Sequence, residues 1–135
     1  MSDISYSNLS DKLVEIVPEL LPQYQKELEW WGGEEPGAHN VYGDVLNPYL
    51  ITLLKSAPKK DNEEVLRRIF GFLELLSNHP DVHVPEVVGV TVLEVLLGAG
   101  LLETSRRYMG PATLQMSKEI EDWRPTKQSS GTSQM

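Results

Sequence analysis

The sequence predicts an all-α protein, built either as a bundle of six or seven helices or as a short antiparallel array of helix pairs. Apolar residues recur at intervals of three and four along most of the chain, which is the period of an amphipathic helix. Proline and glycine clusters interrupt this pattern, and helices joined by short connections pack antiparallel. We expect one helical domain over residues 1–124, followed by a disordered tail over 125–135 with one charged residue.

The first two helices are predicted on either side of Pro18. Apolar residues before this proline have helical spacing, at Leu9, Leu13, Ile16 and Val17. A second helix is predicted from Pro18 to Trp31, because proline is tolerated in a first helical turn and apolar residues again recur at helical spacing. Gly32 and Gly33 then end this helix, since glycine readily adopts the left-handed conformation found after many helices.

The third helix has two possible starting points. Asn47 and Pro48 are typical of a helix cap and first turn, which favours a start there. A continuous apolar stripe favours instead a kinked helix from about Val41, through Val45, Leu46, Tyr49, Leu50, Leu53 and Leu54. The fourth helix has a clear start from Asp61 to Glu64, whose carboxylates suit the positive end of a helix dipole.

The segment from Pro85 to Leu97 is apolar almost all round and is predicted as the central buried helix. Its many valines would also suit a strand. Its length, the proline at its start and the glycines after it favour a helix. A short helix over residues 101–108 and a last helix from Pro111 to Trp123 complete the prediction.

Composition and charge exclude several classes of function. With 12 basic and 20 acidic residues the net charge is −8, which opposes binding to nucleic acids and to anionic membranes. The chain has no cysteine for a disulfide, no signal-peptide pattern and no apolar run long enough to span a membrane. Phosphate-binding and nucleophile motifs are also absent, so we expect a cytoplasmic protein that is not an enzyme and uses no cofactor.

Two alternative functions depend on histidines and on basic residues. His79 and His83 have the spacing of a helical metal pair, which would suit a small metal-binding or hydrolytic protein, but Pro80 and Pro85 predict a loop there. A DNA-binding regulator would instead use the basic C-terminal segment, which contains Arg106, Arg107, Lys118, Arg124 and Lys127. The acidic body of the protein opposes that second alternative.

An aromatic and acidic segment between the second and third helices is the strongest indication of function. Trp30 and Trp31 lie about 100° apart around a helix, so both cannot face one core, and at least one is expected on the surface. The neighbouring acidic and aromatic residues are Glu34, Glu35, Tyr42 and Asp44. An exposed aromatic beside carboxylates is typical of a protein-binding site with electrostatic steering. Alternatively, both tryptophans cover the edge of a bundle that has only two phenylalanines.

Several turns and helix caps together resemble a family of small all-helical bacterial proteins. These are Ile16 to Pro22, Tyr42 to Leu46, Glu63 to Val65 and Tyr108 to Pro111, and the resemblance covers residues 9–124. This family is similar to the small acidic immunity proteins of polymorphic toxin systems. The resemblance implies a cytoplasmic, non-enzymatic protein that neutralises a cognate toxin by tight binding, and it identifies no binding residue.

We therefore predict an immunity protein that binds a basic toxin domain, with acidic residues that mimic phosphates and aromatic residues that anchor the complex. Acidic residues at the starts of two later helices extend the predicted contact surface. Its residues are Trp30, Trp31, Glu34, Glu35, Tyr42, Asp44, Asp61, Glu63, Glu64, Asp81 and Glu86.

Overall fold

The computed structural model describes residues 4–56 and 59–133, with side chains up to Asp122, and within these ranges it contains seven helices and no strand. This confirms the all-α prediction. The helices are α1, Leu9–Ile16; α2, Leu21–Trp31; α3, 38–55; α4, Lys60–Ser77; α5, 83–98; α6, 102–108; and α7, Pro111–Ser133. Two 3-10 turns, Tyr6–Asn8 and Pro18–Leu20, precede α1 and α2. None of the described helices is both long and apolar enough to cross a membrane.

Pro18 separates α1 from α2, as the sequence predicts. It opens a 3-10 turn, because its fixed φ suits a first turn and it has no N–H group to leave unpaired. The regular part of α2 therefore begins at Leu21 rather than at Pro18. At the other end, Gly32 and Gly33 have φ angles of 59° and 97°, and this left-handed conformation ends α2 at Trp31.

Helix α3 is continuous from residue 38 to residue 55, in agreement with the kinked alternative rather than with a start at Asn47. Its two ends, Ala38–Val41 and Asn47–Lys55, are α-helical, and the wider segment between them, Tyr42–Leu46, is π-helical. A proline inside a regular α-helix clashes with the carbonyl four residues earlier and cannot donate to it. The wider turns directly before Pro48 relieve this conflict, so the apolar stripe continues across the proline.

Helix α5 contains the valine-rich segment, which is a helix and not a strand. Its ends, His83–Glu86 and Glu94–Gly98, are α-helical, and Val87–Leu93 between them is π-helical. Val88 and Val92 are completely buried, and burial of this kind overrides the preference of β-branched residues for strands. Helix α5 packs against α3, α4 and α7, which confirms its predicted central position.

Two glycines lie where neighbouring helices contact α5, and a Cβ atom would fit at Gly43 but not at Gly89. A Cβ atom on Gly43 of α3 would lie 3.6 Å from Thr91 Cγ2, where the π-helical segments of α3 and α5 meet. A Cβ atom on Gly89 would lie 2.9 Å from Met116 Sδ of α7. A larger residue at position 89 would therefore require the Met116 side chain of α7 to shift.

The core is a single apolar cluster, and α2 contributes no fully buried side chain to it. The largest completely buried side chains are Tyr42, Phe70, Leu9, Leu13, Leu20, Leu46, Leu50, Ile69, Leu73, Leu76, Leu93 and Leu96. Most of them come from α1, α3, α4 and α5. Helix α2 thus lies on the outside of the bundle, where its side chains are accessible to a partner.

Helix α7 extends from Pro111 to Ser133 along the backbone. Its side chains after Asp122 lie outside the described part of the structure. The predicted disordered tail over residues 125–135 falls in this region. It therefore stays a prediction.

Candidate protein-binding surface

The predicted contact residues occupy three regions of the fold. The first is the end of α2 with the loop after it and one exposed residue of α3; the other two are the starts of α4 and α5. We call the first region the α2-end surface and define it by Glu27, Trp30, Trp31, Glu34, Glu35 and Asp44. It combines an exposed aromatic ring with carboxylates that form no ion pair with any described base.

Trp30 points away from the bundle because α2 contacts the bundle through its opposite side. Tyr24, Glu27 and Trp31, at helical spacing, are half-buried, whereas Trp30 is 82% exposed. The two tryptophans therefore face different directions, as their spacing predicts. An exposed indole of this size can bury a large area against a partner, and tryptophan is enriched among the residues that dominate interface energies.

Glu27 holds the indole of Trp31 and also forms a hydrogen bond with Asp44, which joins α2 to α3. Its Nε1–H group donates to Glu27 Oε2 at 3.1 Å. Partial burial raises the pKa of Glu27, and its hydrogen bond with Asp44 raises it further, against the opposing effect of the indole N–H. A basic group arriving from a partner would favour ionisation of Glu27 and oppose this rise in its pKa. Sequence reasoning missed Glu27, although its position four residues before Trp31 places the two side chains on one helix face.

The negative charge of the α2-end surface follows from an uninterrupted stretch of sequence. Residues 27–54 contain five acidic residues and neither lysine nor arginine. Glu34 and Glu35 are exposed in the loop that follows the left-handed glycines. The surface therefore offers a partner both an apolar ring and unpaired carboxylates.

The prediction for Tyr42 is wrong. This side chain is completely buried, and its hydroxyl donates to the carbonyl of Leu9 at 2.9 Å. Burial also raises the pKa of the Tyr42 phenol far above its ordinary value. The register of the π-helical segment turns Tyr42 toward α1, whereas Asp44, two residues later, faces the solvent. Tyr42 is therefore a core residue and not a surface anchor.

The acidic residues at the start of α4 are largely engaged by other residues of the chain. Glu64 Oε1 lies 2.9 Å from Arg68 Nη2, and Glu63 Oε2 accepts a hydrogen bond from the Tyr108 hydroxyl at 2.6 Å. Asp61 is exposed. Because two of these carboxylates already have partners, this region presents less free negative charge than the sequence suggests.

Asp81 and Glu86 flank the first turn of α5. Asp81 Oδ1 accepts a hydrogen bond from the His83 backbone N–H at 3.0 Å, and Glu86 Oε1 lies 3.5 Å from His83 Nδ1. Both acidic residues are exposed. They remain candidate contacts, but the structure gives them a local role at the helix start as well.

An apolar groove of about 320 Å³ between α5 and α7 was not predicted from the sequence. Its lining includes Val82, 69% exposed, and Val90, 51% exposed, together with Met116 and Ile120. A helix that is apolar all round conceals which of its valines face solvent, so periodicity could not identify this groove.

His79 does not form a metal pair with His83. Its Nε2 bonds to the carbonyl of Ile4 at 2.7 Å, and its Nδ1 accepts a hydrogen bond from the Asp81 backbone N–H at 3.0 Å. Residues 79–82 are not helical, as the prolines predict, and His83 is the first residue of α5. Within the described ranges, no three His, Asp or Glu side chains are grouped to hold a metal ion. His79 instead ties the N-terminal segment to the turn between α4 and α5.

The basic C-terminal segment is partly neutralised by the protein itself. Arg106 lies 2.7 Å from Glu121 and 2.8 Å from Glu103, and these hydrogen bonds, led by that of Glu121, raise its pKa. Arg124 and Lys127 belong to the part of α7 whose side chains are not described. The engagement of Arg106 weakens the DNA-binding alternative, because a paired guanidinium is not available to a phosphate.

Comparison with known proteins places the chain in a family. No curated protein and no solved structure matches it. The sequence model of one family matches residues 10–124, a range that extends from α1 into α7. The chain therefore belongs to the family described as Domain of unknown function (DUF7674).

Proposed function

We propose that this protein binds a basic protein domain through the α2-end surface and acts as an immunity protein against a bacterial toxin. The observation that carries the proposal is Trp30, which is 82% exposed on a helix that adds no fully buried side chain to the core. The fold makes little use of this indole. A contact with a partner accounts for its position beside unpaired carboxylates.

The charge of the surface indicates the chemistry of the partner. A domain that acts on nucleic acid needs positive charge to hold phosphates. Glu34, Glu35 and Asp44 would compete for that charge, and a molecule of net charge −8 would accelerate the encounter by electrostatic steering. Blocking a site in this way needs no reactive group in the inhibitor.

The choice of an immunity role among binding functions is supported by the resemblance of the turns and caps described above. Inhibition by binding also suits a small rigid bundle, because a preorganised surface loses little conformational entropy when it binds. The alternatives based on His79 and on Arg106 have less support, since both side chains are occupied within the molecule.

Growth rescue tests the proposal. The product of the adjacent gene is expressed as the toxin, and the wild-type chain, Trp30→Ala or Val95→Ala is expressed with it. Val95→Ala is the control, because it shortens another exposed apolar side chain. We expect rescue by wild type and by Val95→Ala, and weaker rescue by Trp30→Ala, since loss of a central tryptophan costs about 2 kcal/mol or more of binding energy. Equal rescue by Trp30→Ala, or no rescue by wild type, would contradict the proposal.

A further inference from the structure

The chain contains two arginine doublets, and the two arginines of each doublet are used differently. Arg68 and Arg106 each donate hydrogen bonds to two carboxylates and one backbone carbonyl. For Arg68 the carboxylates are Glu19 and Glu64 and the carbonyl is that of Ile16. For Arg106 the carboxylates are Glu103 and Glu121 and the carbonyl is that of Ser117. Arg67 and Arg107 donate no hydrogen bond to any described residue, and their side chains are 62% and 61% exposed. Their N–H groups are therefore available to a ligand.

Arg67 and Arg107 both lie within cation–π range of the Tyr108 ring. Their guanidinium carbons lie 5.5 Å and 5.3 Å from the centroid of the Tyr108 ring, within the range of cation–π attraction. They also lie 3.6 Å and 3.8 Å from Glu63 Oε1, too far for hydrogen bonds. The Tyr108 hydroxyl donates to Glu63 Oε2 at 2.6 Å and fixes this carboxylate. Both guanidinium groups thus lie near the same aromatic ring and the same carboxylate oxygen.

A small cavity of about 80 Å³ is lined by Arg107, and Arg67 reaches it only through the shared Tyr108 ring and Glu63 carboxylate. Its apolar lining comes from Leu53, Leu54 and Leu66, and its charged lining is Arg107 together with Glu63, the carboxylate held by Tyr108. Polar side chains at its edge include Asn62 and Thr104, neither of which forms a side-chain hydrogen bond with a described residue. The cavity therefore combines an apolar interior with unused donors next to a positive charge.

We propose that Arg67 and Arg107 bind a carboxylate that carries a short apolar body. Two guanidinium groups and the Glu63 carboxylate leave a net charge of about +1, which suits a monoanion better than a phosphate dianion. Guanidinium N–H groups match the two oxygens of a carboxylate, and the leucine-lined cavity accepts the apolar body. This site shares no residue with the α2-end surface and does not depend on the proposed function.

Titration of the ¹⁵N-labelled full chain, followed by NMR, tests this site. The ligands are the sodium salts of straight-chain acids from formate to hexanoate, with inorganic phosphate at the same ionic strength. We expect saturable shifts of the Nε–H signals of Arg67 and Arg107, and an affinity that rises with chain length and falls once the acid outgrows the cavity. Arg67→Gln and Arg107→Gln should each weaken binding about tenfold, whereas Lys26→Gln, which removes a base on α2, should leave it unchanged.

The same titration distinguishes a free acid from the end of a peptide chain. Acetylated dialanine with a free C-terminal carboxylate is compared with its amide and with the acids. Tighter binding of the peptide acid than of every free acid identifies a chain terminus as the ligand, and the reverse order identifies a free acid. Shifts that do not saturate, equal binding by the arginine variants with unchanged circular dichroism spectra, or tighter binding of phosphate would each overturn the proposal.

Discussion

Glu74 links two helices through a single carboxylate. It accepts hydrogen bonds from the backbone N–H groups of Ala112 and Thr113, both at 2.9 Å, and from the Thr113 hydroxyl at 2.8 Å. It thereby caps the first turn of α7 from α4. Burial alone would raise the pKa of Glu74, but these hydrogen bonds and one from Asn78 outweigh it and bring the pKa below its ordinary value of 4.5.

Substitution of Glu74 by Gln should lower the free energy of unfolding by about 1–3 kcal/mol at neutral pH. Because the folded-state pKa is depressed, the stabilising effect of the carboxylate is present above the unfolded value of about 4.5 and is lost as the pH falls through the folded value. The difference between wild type and Glu74→Gln should therefore narrow in acid. Urea unfolding at pH 7 and pH 3 measures it, and an equal difference at both pH values would contradict this account.

The roles of Glu74 and Tyr42 were beyond prediction from the sequence for a common reason. Both depend on partners far along the chain: Glu74 bonds to residues 38 and 39 positions later, and Tyr42 to a carbonyl 33 positions earlier. Helical periodicity describes only neighbours three and four residues apart. It therefore located the helices but not the side chains that join them.

At the level of elements, the sequence predicted the helices better than their internal geometry. Prolines and glycines marked where several helices begin and end, because these residues act locally. The predicted cap Asn47 lies inside α3 instead, and α1, α2, α3 and α4 begin without a side-chain cap hydrogen bond. The π-helical segments of α3 and α5 were not predicted, because helical periodicity does not distinguish a π-helical turn from an α-helical one. Asn47 donates from Nδ2 to the Thr91 carbonyl at 3.0 Å, and the His39 ring bonds to the Thr91 hydroxyl. These bonds form only once α3 and α5 are packed together.

Two glycine-to-alanine substitutions should affect stability in opposite directions. Gly71 lies exposed in the middle of α4 with open space around it, so Gly71→Ala should stabilise the protein by about 0.5–1 kcal/mol through higher helix propensity. Gly89 faces Met116 of α7, with 2.9 Å from the new Cβ to Sδ, so Gly89→Ala should destabilise it by about 1–3 kcal/mol. Urea unfolding compares the two, and stabilisation by both would show that the Met116 side chain moves away from the new Cβ at little cost.

Across the described part of the molecule, some charged side chains are paired with opposite charges and others are not. Arg68 and Arg106 are each paired with two carboxylates, whereas Glu34 and Glu35 of the α2-end surface have no basic partner in the described chain. Net charge and the tryptophan pair indicated this surface from the sequence. Which acidic residues remain unpaired depends on the fold. From the sequence alone, Glu63 and Glu64 were therefore predicted as contacts equally with Glu34 and Glu35, although both are engaged within the structure.

The central claim, that the α2-end surface binds a basic partner, is tested most directly by the dissociation constant of the complex with the adjacent gene product. Calorimetric titration at low and high salt compares wild type with the double variant Glu34→Lys, Glu35→Lys. We expect charge reversal to weaken binding at least about tenfold at low salt, with a smaller difference at high salt because exposed charges are screened. Equal affinity of the two proteins at low salt, or no detectable complex with wild type, would contradict the claim.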